Sequence, residues 1–245
     1  MRFTTPAIVV ALRPHGEHGA VVRLMTPYHG LQVAYVRGAR GKRMRPVLIP
    51  GNLVEATLSA RTESQLAHAT IELCHSRAPL FSEPLPAAAI DWATAVIATI
   101  LPEAQSYQRL YVALDGLLAA IEAAPAASGW GAALVRYELL LLAELGFGLD
   151  LSCCAVSGDT ERLVAVSPRS GRAVGATMAA PYIGKLLPLP RFVGEGGEAS
   201  WPDILDGLAL SGHFLRRDLI TDRAVAVGEA RVRLIDRLRR AAGVA

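Results

Sequence analysis

Up to about residue 77 the apolar positions fall in short, partly β-branched runs separated by glycine and proline turns. Residues 7–12 form the first run, and His15-Gly16-Glu17-His18-Gly19 is a turn. Residues 21–25 form the second run, Pro27 to Gly30 turns again, and residues 31–36 form the third. Residues 52–60 and 65–74 complete five. Short strands at near-even spacing predict a small barrel or sandwich. Five strands in about 75 residues is the size of an OB-fold, a five-stranded Greek-key barrel that often binds oligonucleotides.

Pro79, Pro84 and Pro86 then punctuate a boundary, and the period becomes helical. Residues 86–101 carry Ile90, Ala93, Ile97 and Ile100, and residues 107–123 carry Leu110, Leu114, Leu117, Leu118 and Ile121. Residues 132–145 are apolar around much of the circumference, which predicts a central helix. Gly146 and Gly148 suit its C-terminus. Residues 151–174 break the helical run: 163–166 read as a strand and Ser167-Pro168-Arg169-Ser170-Gly171 as a turn, so a small hairpin insertion is expected. Helical patterning resumes over 176–187, 201–219 and 228–240. The last segment gathers Val227, Leu234, Ile235 and Leu238 on one side, with Glu229 at its start and Arg237, Arg239 and Arg240 at its end. The expected class is α+β: an OB-fold nucleic-acid-binding domain over residues 1–78 and a helical domain over 79–245, with the insertion at 151–174.

Composition sharpens this picture. A hydrophobic content of 52% in 245 residues supports a sizeable core and excludes a disordered chain. The net charge of +3 hides an asymmetry, because residues 1–80 hold ten Lys/Arg against four Asp/Glu while residues 81–245 hold fifteen against eighteen. An anion-binding module joined to a more neutral body is the expectation. Three cysteines, Cys74, Cys153 and Cys154, build no disulfide framework and suit a reduced, cytoplasmic setting. Residues 3–12 contain proline and lack a basic lead and cleavage site, so no signal peptide is expected. No run of about 18 apolar residues is present.

The basic character concentrates in Arg37-Gly38-Ala39-Arg40-Gly41-Lys42-Arg43-Met44-Arg45, where five of nine residues are cationic and none is acidic. A flexible loop of this kind between two strands suits a phosphate backbone, which guanidinium groups match bidentately. The competing reading is a solvated hairpin loop that is basic only for solubility. Tyr35 precedes Arg37 by two residues, so the two share a strand face. Tyr35 is either a stacking platform for bases or part of the core. The candidate DNA-binding residues are Tyr35, Arg37, Arg40, Lys42, Arg43 and Arg45, acting through phosphates with little sequence preference.

Other chemistries find no matching pattern. A structural zinc site needs four ligands, commonly in closely spaced pairs. Cys154 is followed at that spacing by Ser157, and no Cys or His lies between Ser157 and His213. No metal and no cofactor are expected. No G-x-S-x-G elbow, phosphate loop or dinucleotide fingerprint occurs, so no catalytic residue is proposed. Arg136-Tyr137-Glu138 opens the most apolar helix. Arg136 is either paired inside the fold or, with Leu139 and Leu140, lines a groove for an acidic peptide.

Four stretches carry a family resemblance: Gly16-Glu17-His18-Gly19 with Val22 and Thr26; Arg37-Gly38-Ala39-Arg40; the sixteen residues 136–151 (RYELLLLAELGFGLDL); and Cys154-Ala155 with Gly158 followed by residues 166–174 (VSPRSGRAV). The chain resembles the RecO family of bacterial DNA repair and recombination mediators over nearly its whole length. That resemblance implies an N-terminal OB-fold, a helical C-terminal domain and a zinc-finger-like insertion. It implies binding of single- and double-stranded DNA, strand annealing, and loading of the recombinase RecA with RecR in the RecF pathway. It also implies docking on the acidic C-terminal tail of single-stranded-DNA-binding protein and a cytoplasmic, nucleoid-associated site of action. The chain departs from the family at the insertion, where only Cys154 matches a four-cysteine finger, so metal is not carried over and the hairpin is expected to keep its shape by packing. A DNA-acting enzyme such as a nuclease and an RNA-binding OB module remain as alternatives.

Overall fold

The computed structural model describes residues 1–62, 65–124, 126–221 and 224–244. Its contacts divide the chain into two compact units, Met1–Glu122 and Ala123–Ala245. In the first, β1 (Arg2–His15), β2 (Gly19–Thr26), β3 (Gly30–Val36), β4 (Leu53–Ser59) and β5 (Ala67–His75) close a barrel in the order β1-β2-β3-β5-β4. This is the OB-fold that the strand count predicts. Alternation builds it: Val54, Ala56 and Leu58 of β4 point inward while Glu55 and Ser59 face water. They join Ala7, Val9, Val22, Leu24, Ala34, Val36 and Ile71 in one buried cluster. A fully buried leucine such as Leu58 contributes about 1.5–3 kcal/mol.

Strand β1 makes the closure. Residues 2–8 pair with β4 and residues 8–15 with β2, and a register shift between Val9 and Ala11 lets the strand bend. The apolar pattern predicts only residues 7–12 of it, because Pro6 and Pro14 read as strand ends. Each proline instead sits where β1 has a neighbour on one side only, so its missing N–H costs the ladder little.

The hydrophobic period changes near residue 78, but the contacts divide the chain after Glu122. The reason is that α1 (Pro84–Ile100) and α2 (Gln108–Ala123) are tied to the barrel. Helix α1 starts on Pro84, whose missing donor is harmless there, and buries Ala89, Ile90, Ala93, Val96 and Ile97. In the segment before α2, the Ala104 N–H donates to the Leu31 carbonyl (3.0 Å), and Arg23 Nη2 donates to Glu103 (2.8 Å).

The second unit contains α3 (Gly131–Glu144), a three-stranded sheet of β6 (Leu163–Val166), β7 (Ala173–Gly175) and β8 (Leu187–Pro188) in the order β7-β6-β8, short helices α4 (Ala176–Ala179) and α5 (Arg191–Gly194), and the longer α6 (Trp201–Phe214) and α7 (Val225–Ala241). A Ser200–Asp203 capping box starts α6. Two expectations need correction. The helix predicted over 176–187 stops after α4 and one 3-10 turn, Ala180–Tyr182, because Pro181 is a poor helix former and Gly184 takes φ +84°. Residues 201–219 are not one α-helix: Leu215–Leu219 wind as a π turn, with the Ile220 N–H on the Leu215 carbonyl at 2.7 Å. Among the described residues no helix is long and apolar enough to cross a membrane.

Candidate nucleic-acid interface

The basic segment leaves β3 at Val36 and reaches β4 through successive turns rather than as a slack loop. Ala39 and Leu48 are buried in the barrel cluster and peg the segment at two points. Between them, the Met44 and Arg45 N–H groups both donate to the Gly41 carbonyl, each at 3.1 Å. Asn52, fully buried, secures the far end: its Nδ2 donates to the Pro46 (2.9 Å) and Val47 (3.0 Å) carbonyls. Its Oδ1 accepts from the Arg77 N–H at 2.9 Å. The buried Arg77 side chain donates to the Gly51 carbonyl (2.8 Å) and to Asp115 (3.0 Å). Neither Asn52 nor Arg77 stands out in the sequence, because a buried amide bonding to backbone has no period or motif.

With its apolar pegs turned in, the segment leaves its cations outside. Arg37, Arg40, Lys42, Arg43 and Arg45 are all exposed. Arg40 is partly committed: its N–H donates to the His18 carbonyl (3.2 Å) and its Nη1 to the Glu17 carbonyl (3.1 Å), tying the segment to the β1–β2 turn. Arg37, Lys42, Arg43 and Arg45 have no carboxylate partner among the described residues. Positive charge without internal compensation is what a polyanion meets first.

Tyr35 is half-buried on the outside of the barrel and not in its core. The end of its ring lies on the backbone of Gly19, where a Cβ would come within 2.1 Å of the phenol oxygen. His15 and His68 meet it edge-on, with ring centroids 6.0 and 5.6 Å away. Register explains the meeting. Arg13 pairs with Val21, Val21 with Tyr35, Tyr35 with His68, His68 with Ser59, and Ser59 with Arg2. Directly paired residues point to the same side of a sheet, so this belt places Arg2 and Arg13 on the face that carries the rings. A cleft lined by Ser59, Ala60, Arg61, Gln65, Leu66 and His68 continues it. Sequence reasoning singled out Tyr35 but not the two histidines, which only strand pairing brings to it.

In the second unit the charge that goes inside is Glu138, not Arg136. Glu138 is fully buried and receives Arg231 Nε and Nη2, both at 2.8 Å, and the Ser211 hydroxyl. A Cβ on Gly212 would lie 2.3 Å from Arg231 Nη1, so that position must be glycine for the guanidinium to enter. Arg136 is exposed on the outer side of α3, with its guanidinium 5.3 Å from the Phe192 ring centroid and donating to the Phe192 carbonyl (3.3 Å) and the Gly197 carbonyl (3.5 Å). Leu139 and Leu140, half-buried, follow on the same side of the helix. A separate apolar concavity of about 610 Å³ lies between the π turn and α7, lined by Ile220, Val225 and Val232 with Arg216, Arg233 and Glu229.

The insertion is organised around a thiol. Cys154 packs with Ala165, Val174 and Ala179, flanked by Leu163, Met178 and Leu186. Hydrogen bonds from the Ser157 hydroxyl, and from the Ser157, Gly175 and Val156 N–H groups, bring its pKa down to about 6. Ser157, at the spacing of a second metal ligand, is here a donor to the sulfur. Among the described residues no three His, Cys, Asp or Glu side chains gather as metal ligands.

Comparison with known proteins agrees with this architecture. The family model described as Recombination protein O N terminal matches residues 1–77, and that described as Recombination protein O C terminal matches residues 84–222. The chain is 45% identical over 247 residues to a protein of Rhodospirillum rubrum named DNA repair protein RecO, covering 98% of this chain and 97% of that one. Proteins of the same name from Rhodospirillum centenum and Caulobacter vibrioides are 41% and 42% identical, over 98% and 97% of this chain and 96% and 98% of theirs.

Proposed function

The chain belongs to the RecO family, and on that premise we propose that it serves DNA repair and recombination as a DNA-binding mediator, not as a catalyst. In this reading the barrel binds single- and double-stranded DNA through Arg37, Arg40, Lys42, Arg43 and Arg45, with Tyr35 beside them. The observation that carries it is the set of exposed cations on a segment pegged by Ala39, Leu48 and Asn52. A held segment presents charge to phosphates with less ordering cost than a free one. The fuller role follows the family: annealing of complementary strands, loading of RecA together with RecR in the RecF pathway, and action at the nucleoid in the cytoplasm.

Docking on the acidic tail of single-stranded-DNA-binding protein falls to the second unit. Such a tail needs a cation for its carboxylates beside an apolar surface. Arg136 with Leu139 and Leu140 offers both, and so does the concavity beside Arg216, although there Glu229 also lines the wall and pairs with Arg233 at 4.0 Å. Arg136→Glu and Arg216→Glu, each tested against a labelled tail peptide, identify which surface is used.

The reading as a whole is tested by fluorescence anisotropy of labelled oligodeoxynucleotides with the full chain. The expected result is binding to single strands and duplexes, weakened for both by Arg43→Ala/Arg45→Ala, and no metal-dependent nicking of the DNA. Absence of binding, or nicking activity, overturns it.

A further inference from the structure

Tyr35, His15 and His68 do more than sit near a basic segment. We infer that they form a slot for one unpaired base, which stacks on Tyr35 between the two imidazoles and gives the barrel its discrimination between single strands and duplex. The inference rests on the DNA-binding role proposed above and deepens it.

Four observations carry it. First, the end of the Tyr35 ring lies on bare backbone at Gly19, where a Cβ would come within 2.1 Å of the phenol oxygen and 2.4 Å of two ring carbons. Gly19 is extended backbone, since it is not among the glycines with positive φ. Its lack of a side chain therefore serves the approach of the ring and not the path of the chain. Second, the two imidazoles stand nearly perpendicular to the phenol, at interplanar angles of 80° for His15 and 87° for His68. Third, they come from opposite flanks. His15 belongs to β1 and His68 to β5, and the barrel order β1-β2-β3-β5 puts Gly19 and Tyr35 between them. Fourth, the face that carries the slot also carries cations: along the paired positions Arg13 lies two strands from Tyr35 and Arg2 three, and Arg37 follows Tyr35 in the turn after β3.

The chemistry of the ligand follows. An aromatic face takes any base, because every base has a π face, so the slot is tolerant of sequence. A base inside a duplex has both faces covered by its neighbours and its edge paired, so it enters only after unstacking, at a cost of a few kcal/mol. A single strand has no such barrier. The cations hold phosphates of either form, and only the slot distinguishes them.

The experiment uses the full chain, with a single-stranded oligodeoxynucleotide containing 2-aminopurine and a duplex of equal length. Anisotropy reports affinity and 2-aminopurine quenching reports stacking. Tyr35→Leu is expected to weaken single-strand binding about tenfold, to abolish quenching, and to leave duplex affinity within about twofold. Tyr35→Phe keeps stacking and should behave as the parent. Gly19→Ala, which puts a methyl where the ring lies, should reproduce Tyr35→Leu, with thermal melting checking that both remain folded. Unchanged single-strand affinity and quenching in folded Tyr35→Leu, or equal losses on single strand and duplex, overturns the slot. If that occurs while Arg43→Ala/Arg45→Ala still weakens both forms, the slot alone fails. If the parent protein binds neither form, the DNA-binding role fails and takes the slot with it.

Discussion

Two charged residues of α3 that stand two positions apart, Arg136 and Glu138, have opposite fates. Glu138 is sealed with Arg231 and Ser211, whereas Arg136 stays outside over Phe192. A charge in an apolar helix signals that something is paired, but not which charge or with whom, because Arg231 lies 93 residues further along. Breaking a buried pair strands a charge, so Arg231→Leu is expected to lose about 3–5 kcal/mol of stability in urea unfolding. Arg136→Glu should lose no more than about 1 kcal/mol, since an exposed cation–π contact and surface hydrogen bonds are worth that much at most. Equal losses would contradict the assignment. Cys154 makes a pH prediction. Its pKa of about 6, held down by Ser157, lies below the roughly 8.5 of a thiol in an unfolded chain. Between those values the unfolded chain binds more protons than the native one, so this contribution to stability grows as pH rises through the window and is absent below it. The melting temperature should therefore climb more steeply from pH 6 to 8.5 in the parent protein than in Ser157→Ala. Parallel profiles would remove the thiolate from the account.

Elements with an uninterrupted period were the ones readable in advance. The helices α1, α2, α3 and α7 announce themselves through apolar residues spaced three and four apart, and the inner strands through short runs between turns. Where proline interrupts, the pattern misleads in both directions. Pro6 and Pro14 hide half of β1, while the apolar residues around Pro181 suggest more helix than forms. The π turn after α6 has no sequence signature, yet it has a consequence for the insertion. Arg217 donates from Nη1 to the Pro168 and Arg169 carbonyls at 2.8 and 3.1 Å, and His213 Nε2 lies 3.1 Å from the Pro168 carbonyl. The insertion is thus held by this clasp, by the Cys154 cluster and by backbone bonds such as Ala155 N–H to Ala173 carbonyl (2.8 Å). Purified protein should contain no stoichiometric zinc by elemental analysis, and a chelator should leave its melting temperature unchanged. One equivalent of bound metal would show that the insertion uses ligands beyond Cys154.

At the scale of the whole molecule, charge is divided along the chain: a strongly basic N-terminal third precedes a slightly acidic remainder. The cations proposed to meet DNA were legible as a cluster, because five of them fall within nine residues, and the structure leaves all five exposed. Of the ring cluster at Tyr35 only Tyr35 itself was singled out in the sequence, because His15 and His68 reach it only through the pairing of the barrel strands. Asn52 and Arg77, which hold the segment in place, were not legible at all. The central claim is that Arg37, Lys42, Arg43 and Arg45 meet phosphates. Binding through phosphates releases counterions, so the logarithm of the affinity falls linearly with the logarithm of salt, by about 0.7 per contact on a single strand. The direct measurement is that slope for the parent protein and for Arg43→Ala/Arg45→Ala on one single-stranded oligodeoxynucleotide. The slope should be shallower by about 1.4 in the variant, with folding intact. An identical slope in a folded variant would contradict it.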